Sequence, residues 1–384
     1  MNKNPLLDLE ALGQSIWLDF LRRSALENGE LQAFIDRDGA SGLTSNPSIF
    51  ESAIAGSHDY DQAIRSLALK GKSIQNIYQA LSVDDIRHAA DLFRPVYDRL
   101  EGRDGFVSLE VSPTLAHDTA GTVAEARQLW AAVNRPNLFI KVPATREGLP
   151  AIRQLIGEGI NVNITLLFGL PRYREVADAY LSGLEILASQ GKSLERVASV
   201  ASFFLSRIDV LADPLLEKLK LGDESAANIA ADLHGQVAIA SAKVAYQVYK
   251  EIFGSARYRK LGQQGARTQR LLWASTGTKN PAYSDIKYVE ALIGRETINT
   301  VPIETLDAYR AHGKPAATLE NDVPAAYRTL EGLQRVGIDL NKLTQQLEDE
   351  GVAKFSKAFD QLMSILGGKR EAASQERSGL TLPH

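Results

Sequence analysis

Eight short apolar runs separated by helical patterns predict a single (β/α)8 barrel with additional helices and a C-terminal helical extension. Three observations lead there. The runs recur between residues 15 and 302. Most are too apolar to keep a wet face, as parallel strands covered on both sides must be. And all but the last place a polar or ionisable residue within the run, where a barrel keeps its site. A doubly wound open sheet is the rival, but no GxGxxG follows the first run, which weakens a dinucleotide fold.

The strand signals are SIWLDF (15–20), GLTSNP (42–47), FVSLEV (106–111), LFIKVPA (138–144), NVNITLLF (161–168), VASVASFF (197–204), RLLWAST (270–276) and TINTVP (297–302). About three helices fill residues 48–100 by their periodicity. After the fourth run, Leu149, Ile152 and Ile156 mark a helix that ends at Gly157 or Gly159. Pro171 suits a helix start, and Val176, Tyr180, Leu184 and Leu187 follow at helical spacing. Residues 225–252 read as one long helix through Ile229, Leu233, Val237, Val244 and Val248. Helices follow over about 305–366, notably 340–366, and the polar tail 367–384 reads as mobile. The whole chain, 1–384, is expected to form one domain.

Composition narrows the function. The 384 residues carry a net charge of −4, 44% apolar residues and no cysteine. Mild charge without basic blocks argues against nucleic acid and anionic membranes as partners. Lack of cysteine excludes disulfides, zinc–thiolate sites and thiol nucleophiles, and fits a reducing cytoplasm. The N-terminal MNKNPLLDLEALGQ lacks the apolar core of a signal peptide. The six histidines are scattered and no HxxH or HExxH occurs, so no metal is expected. No cofactor is expected either: LKGKS (69–73) lacks the first glycine of a phosphate loop, and no GxSxG elbow exists.

The polar strand-end residues are Asp19, then Thr44, Ser45 and Asn46, Glu110, Lys141, Asn163, Thr165, Ser202 and Ser275. Taken singly, each has a plain structural explanation. Asp19 or Glu110 could be a cap or a paired core acid, TSNPS a turn, and Lys141 an ion-pair lysine. These explanations are not independent, because the acids that would pair with Lys141 also lie at strand ends. A lysine among Phe139, Ile140 and Val142, with two carboxylates and several hydroxyls and amides, suits Schiff-base chemistry on a carbonyl. Desolvation there favours the neutral amine, which is the nucleophile. Arg207 after the sixth run and Lys279 after the seventh, with Ser275, could hold a phosphate.

The ordered motifs WLDFLRR, GLTSNPSIF, VSLEVSP, FIKVPAT, GINVNITLLF, SFFLSRID and WASTGTKNP resemble those of the transaldolases, of the longer bacterial type. The resemblance runs from about Asp19 to Thr305, and LEDEGVAKFSKAF also fits. It implies a circularly permuted class I aldolase barrel in the non-oxidative pentose phosphate pathway. Such enzymes transfer a dihydroxyacetone unit from sedoheptulose 7-phosphate or fructose 6-phosphate to glyceraldehyde 3-phosphate or erythrose 4-phosphate. Lys141 then matches the Schiff-base lysine and Asp19 the acid/base on the C4 hydroxyl. Glu110 matches the carboxylate acting through a water, and Thr165 a holder of that water. Asn46 and Asn163 match amides on the dihydroxyacetone hydroxyls. Thr44 and Ser202 match further sugar contacts, and Arg207 a phosphate arginine. Shorter transaldolases carry a second phosphate arginine after strand seven; here the segment reads STGTKN, with Lys279 in that place and Ser275 as a helper. An aldolase releasing free dihydroxyacetone from fructose 6-phosphate is the alternative. Phe204 favours transfer, since an apolar ring leaves water poorly placed to reprotonate the carbanion. A catalytically inert barrel would need a broken site, and every motif position is filled. Both a monomer and a homodimer remain open.

Overall fold

The computed structural model describes residues 4–379. Its centre is a closed barrel of eight parallel strands in sequential order. They are β1 (Gln14–Asp19), β2 (Gly42–Thr44), β3 (Phe106–Glu110), β4 (Leu138–Pro143), β5 (Val162–Leu167), β6 (Ser199–Phe204), β7 (Arg270–Ala274) and β8 (Thr297–Val301). Each overlaps its predicted run. β1 closes the ring by pairing with β8 from Gln14 to Leu18, which excludes the open sheet. Three helices join β2 to β3, as expected: Pro47–Ala55, Asp61–Leu69 and Ile74–Arg99.

Side chains alternate along a strand, so the inward faces can be read in layers. Toward the N-terminal ends the barrel is filled by rings. Trp17 lies 6.1 Å from Phe139 and 6.5 Å from Phe106, and those two lie 4.3 Å apart. Burying each ring stabilises the fold by roughly 1.5–3 kcal/mol. The indole needs space that only glycine leaves. Gly42 faces Trp17 in register, and a Cβ on it would stand 2.4 Å from the ring. The indole N–H donates to Asp104 Oδ1 at 2.6 Å. Arg270 of β7 donates to Ser15 Oγ at 2.6 Å and stands 3.4 Å from Asp104 Oδ2, so the inward charges of this end neutralise one another. Two residues further along β1 to β6 the inward positions turn polar: Asp19, Thr44, Ser108 and Glu110, Lys141, Asn163 and Thr165, and Ser202.

The structure corrects two expected helices. Residues 225–252 are not one helix but two, Glu224–Leu233 and Val237–Phe253. The chain breaks at Gly235, whose φ is 70°, a conformation that glycine adopts without strain. Asp213 Oδ1 accepts from the Gly235 amide and Asp209 Oδ1 from the Ala238 amide, each at 2.8 Å. The apolar spacing is helical on both sides of the break, so periodicity does not reveal it.

The last helix does not stop at 366 but runs Leu340–Gly379, so the tail expected to be mobile begins as helix. Gly367 and Gly368 do not end it, because Leu362, Leu366 and Ala373 are all buried and Lys369 pairs with Asp61. Tertiary packing outweighs the weak helix preference of glycine, which is about 1 kcal/mol per residue. The end of that tail, 380–384, lies outside the described residues. Among the described residues no helix is long and apolar enough to cross a membrane.

Gly42→Ala should lower stability by about 1–3 kcal/mol, the usual cost of overpacking. Gly368 has open space around the position of a Cβ, so Gly368→Ala should be neutral or stabilising by up to about 1 kcal/mol. Denaturant melts of both variants check this; an unchanged midpoint for Gly42→Ala would remove the steric role given to Trp17.

Candidate active site

The two ends of the barrel both hold a cavity. The one at the N-terminal ends, about 510 Å³, is lined by Trp17, Asp104 and Arg270 among others. Asp104 and Arg270 there are tied to each other as described above, and none of the predicted site residues lines it. The cavity at the C-terminal ends, about 330 Å³, is lined by Asp19, Thr44, Asn46, Lys141, Ser202, Phe204, Arg207, Ser275 and Lys279. Those are nine of the twelve predicted residues. The other three, Glu110, Asn163 and Thr165, are buried on strands β3 and β5, which flank the lysine strand β4.

Strand register explains why these groups meet. Glu110, Lys141 and Asn163 are successive partners across β3, β4 and β5. Lys141 is 4% exposed and Glu110 8%. The lysine Nζ stands 3.4 Å from Glu110 Oε2 and donates to the Ser45 carbonyl at 3.1 Å. Burial pushes the Glu110 carboxyl up to about 7, against the opposing pull of Lys141. The Thr165 hydroxyl, one inward layer above Asn163, is buried and makes no hydrogen bond among the described residues.

Asn163 is committed to its neighbours. Its Nδ2 donates to Ser108 Oγ at 3.0 Å, and its Oδ1 accepts from Ser202 Oγ at 2.6 Å. This chain of polar groups crosses the barrel beneath the cavity. Asn46 is committed on one side only. Its Oδ1 accepts from the Ile49 amide at 3.0 Å and so caps helix Pro47–Ala55. Its amide N–H groups remain for a ligand.

Asp19 ends β1, half-buried. Burial raises its carboxyl above the ordinary value, while Lys141, the Thr44 hydroxyl and Lys279 oppose the rise. Thr44 Oγ1 donates to Asp19 Oδ1 at 2.8 Å and lies 2.8 Å from Thr300 Oγ1. A hydroxyl has one proton, so Thr300 supplies the next one in the chain. Thr300 corrects the expectation that the last strand brings nothing polar. It is the inward residue two after Ile298, and the alternation along TINTVP was the signal that could have found it.

At the mouth, Phe204 packs against Phe168 with ring centroids 5.2 Å apart, and the Arg207 guanidinium lies over Phe204 at 5.8 Å. Burial lowers the Arg207 proton affinity, and Glu350 opposes that. Ser275 has φ 54°, uncommon for a residue with a side chain. Its Oγ lies 2.9 Å from Ser206 Oγ, so the strained turn binds the end of β7 to the residue before Arg207. The loop bearing Lys279 is moored to helix Ser206–Leu219 by buried acids. Tyr288 and Lys287 both donate to Asp209 Oδ2, at 2.7 and 3.2 Å, and Tyr283 donates to Asp213 Oδ2 at 2.6 Å. Two further lining residues, Lys354 and Phe355, come from helix Leu340–Gly379. The sequence motif LEDEGVAKFSKAF contained both without indicating that the helix returns to the barrel mouth.

Such an arrangement joins an amine and a carboxyl deep in a barrel, a second acid beside the amine, and cations at the rim. Comparison with known proteins agrees with it. The family model described as Transaldolase/Fructose-6-phosphate aldolase matches residues 16–366. A transaldolase of Trichodesmium erythraeum (strain IMS101) is 48% identical over 373 residues, which cover 96% of this chain and 98% of that protein. A transaldolase of Thiobacillus denitrificans (strain ATCC 25259 / T1) is 47% identical over 360 residues, 94% of this chain and 99% of that protein. One from Mycolicibacterium smegmatis (strain ATCC 700084 / mc(2)155) is 45% identical over 377 residues, 98% of this chain and all of that protein's length, 100%. With a family match across nearly the whole barrel and its C-terminal helix, the chain belongs to the transaldolase/fructose-6-phosphate aldolase family.

Proposed function

We propose that this chain is a transaldolase that moves a dihydroxyacetone unit between sugar phosphates through a Schiff base on Lys141. The observation that carries it is the buried Lys141–Glu110 pair opening into a cavity with Asp19 on its wall and Arg207 at its mouth. The names of the relatives, at nearly full coverage, support the same activity.

The chemistry divides among these groups. The neutral amine of Lys141 adds to C2 of a ketose phosphate. The carbinolamine loses water to give an iminium, with Glu110 passing protons through a water that the Thr165 hydroxyl helps hold. Asp19 then accepts the C4-hydroxyl proton. The C3–C4 bond breaks, its electron pair moves toward the iminium, and the aldose phosphate leaves. The enamine attacks the carbonyl carbon of the acceptor aldose, Asp19 returns its proton to the new alkoxide, and water releases the product ketose from Lys141. Burial that raises the Asp19 carboxyl suits a group that must both take and give a proton near neutrality. Asn46, Asn163, Thr44 and Ser202 orient the sugar hydroxyls directly or through one another. Arg207, Lys279 and Ser275 receive the phosphate.

Transfer, rather than release of dihydroxyacetone, is favoured by the wall at Phe204. Phe204 and Phe168 present rings there, not a hydroxyl that could position water to protonate the carbanion. No cysteine is present, in keeping with work in the reducing cytoplasm.

Three outcomes test the assignment. Incubated with fructose 6-phosphate and erythrose 4-phosphate, the protein should form sedoheptulose 7-phosphate faster than it frees dihydroxyacetone; equal rates would favour the simple aldolase. Borohydride should trap an adduct on the peptide containing Lys141, and Lys141→Ala should lose both adduct and turnover. Asp19→Asn should still form the adduct but slow cleavage by about 100-fold or more, the lower range of general-base effects; failure to form any adduct would reverse the roles of Asp19 and Glu110.

The pH profile follows from Glu110. Its carboxyl is protonated below about 7 and ionised above, and the ionised form takes up the proton as the amine adds. The single-turnover rate of adduct formation should therefore rise with pH through about 7. Glu110→Gln should flatten that limb. A limb that survives the substitution belongs to another group.

A further inference from the structure

We propose that Lys354, on the C-terminal helix Leu340–Gly379, is a phosphate-binding residue of this site and sets its preference for phosphorylated sugars together with Arg207. The inference rests on the sugar-phosphate reading above and deepens it.

Lys354, Arg207 and Lys279 line one mouth, reaching it from three separate parts of the chain. Arg207 follows β6, Lys279 follows β7, and Lys354 comes from the last helix. None of the three makes a hydrogen bond or an ion pair with an acid among the described residues, whereas Arg23, Arg172, Arg310 and Arg257 are each paired with a carboxylate. Like charges left facing one another without an acid are costly unless something anionic arrives between them. Arg207 first, then burial and Lys279, hold the Lys354 ammonium below its ordinary value. Two acids act on this group: Glu350, one turn earlier on the same helix, on Arg207, and Asp19 of the cavity wall, on Lys279. Three cations against these two acids leave the mouth positive in a chain whose net charge is −4. A phosphate dianion fits that balance.

Lys354 is also delivered by a rigid mount, which separates it from an ordinary surface lysine. Phe355, next in sequence, is 4% exposed and lines the same cavity. Gly351 lies against Leu166 so closely that a Cβ would stand 2.9 Å from Leu166 Cδ2. Leu166 has φ 54°, in the irregular stretch where β5 shifts register against β6. Glu348 pairs with Arg172 at 3.2 Å. These contacts fix the rotation and height of the helix, and Lys354 lies one turn beyond them. Lys279 and Lys354 are both exposed at the rim, Lys279 on a loop and Lys354 on this packed helix. The helix therefore adds a cation at a fixed place beside Arg207 and Lys279.

The test uses the full-length protein and inorganic phosphate as probe, followed by calorimetric titration, with KM for fructose 6-phosphate measured alongside. Lys354→Ala should weaken phosphate binding and raise KM about tenfold, the scale of one charge-assisted contact, with kcat within about twofold. Lys354→Arg should restore most of the loss. Lys357→Ala removes an exposed lysine of the same helix that does not line the cavity, and should change neither quantity. Borohydride trapping of dihydroxyacetone, which has no phosphate, should fall far less in Lys354→Ala than trapping of fructose 6-phosphate. Phosphate binding and KM within twofold of the unaltered protein in Lys354→Ala would overturn this inference alone. Absence of any fructose 6-phosphate adduct in the unaltered protein would overturn the proposed function alone, since phosphate binding is measured without turnover.

Discussion

A lysine and a glutamate share the interior of this barrel, and much of the molecule is arranged around keeping them there. Taking two ionisable side chains out of water is costly, and their mutual attraction offsets it only when geometry is good and other dipoles help. Here the Ser45 carbonyl accepts a hydrogen bond from the lysine Nζ, and Asp19 lies near enough to act on both groups. The pair is not closed by further bonds. At 3.4 Å it is a loose contact, and such looseness suits an amine that must leave its partner to attack a carbonyl.

The apolar half of the barrel makes this tolerable. Trp17, Phe106 and Phe139 fill the strands just below the polar layer, and Lys141 lines the cavity on the other side of them. Gly42 admits the indole, and Asp104 satisfies its N–H. The floor and the site are thus one design along the same strands. Two residues beyond Trp17, Gly42, Phe106 and Phe139 the inward positions are Asp19, Thr44, Ser108 and Lys141. A change in the floor would shift the strands that carry the chemistry, even though no floor residue touches the cavity around Lys141.

Much of this was legible in the sequence, for a physical reason. Parallel strands covered on both faces must be apolar, so Lys141 in LFIKVPAT and Glu110 in FVSLEV stand out against their neighbours. All eight strands were readable on that ground, and so were the polar residues at the ends of the first seven. What stayed hidden depends on the third dimension. Thr300 looks like any β-branched strand residue until its neighbour across the closed ring, Thr44, is known. The break at Gly235 depends on Asp209 and Asp213 reaching from another helix. The extension of the last helix past Gly367 depends on what Leu366, Lys369 and Ala373 meet. Lys354 sits in an unexceptional amphipathic helix, and no local pattern reports that the helix folds back over β5.

That return has a consequence for how the protein is made. The ring of strands is complete once β8 has been synthesised, because β1 pairs with it directly. The cavity is not, since Lys354 and Phe355 follow much later in the chain. Until that helix is in place, one wall of the pocket is missing. The same helix reaches back to Asp61, between β2 and β3. It therefore stitches the youngest part of the chain to one of the oldest, and only with that stitch is the mouth complete.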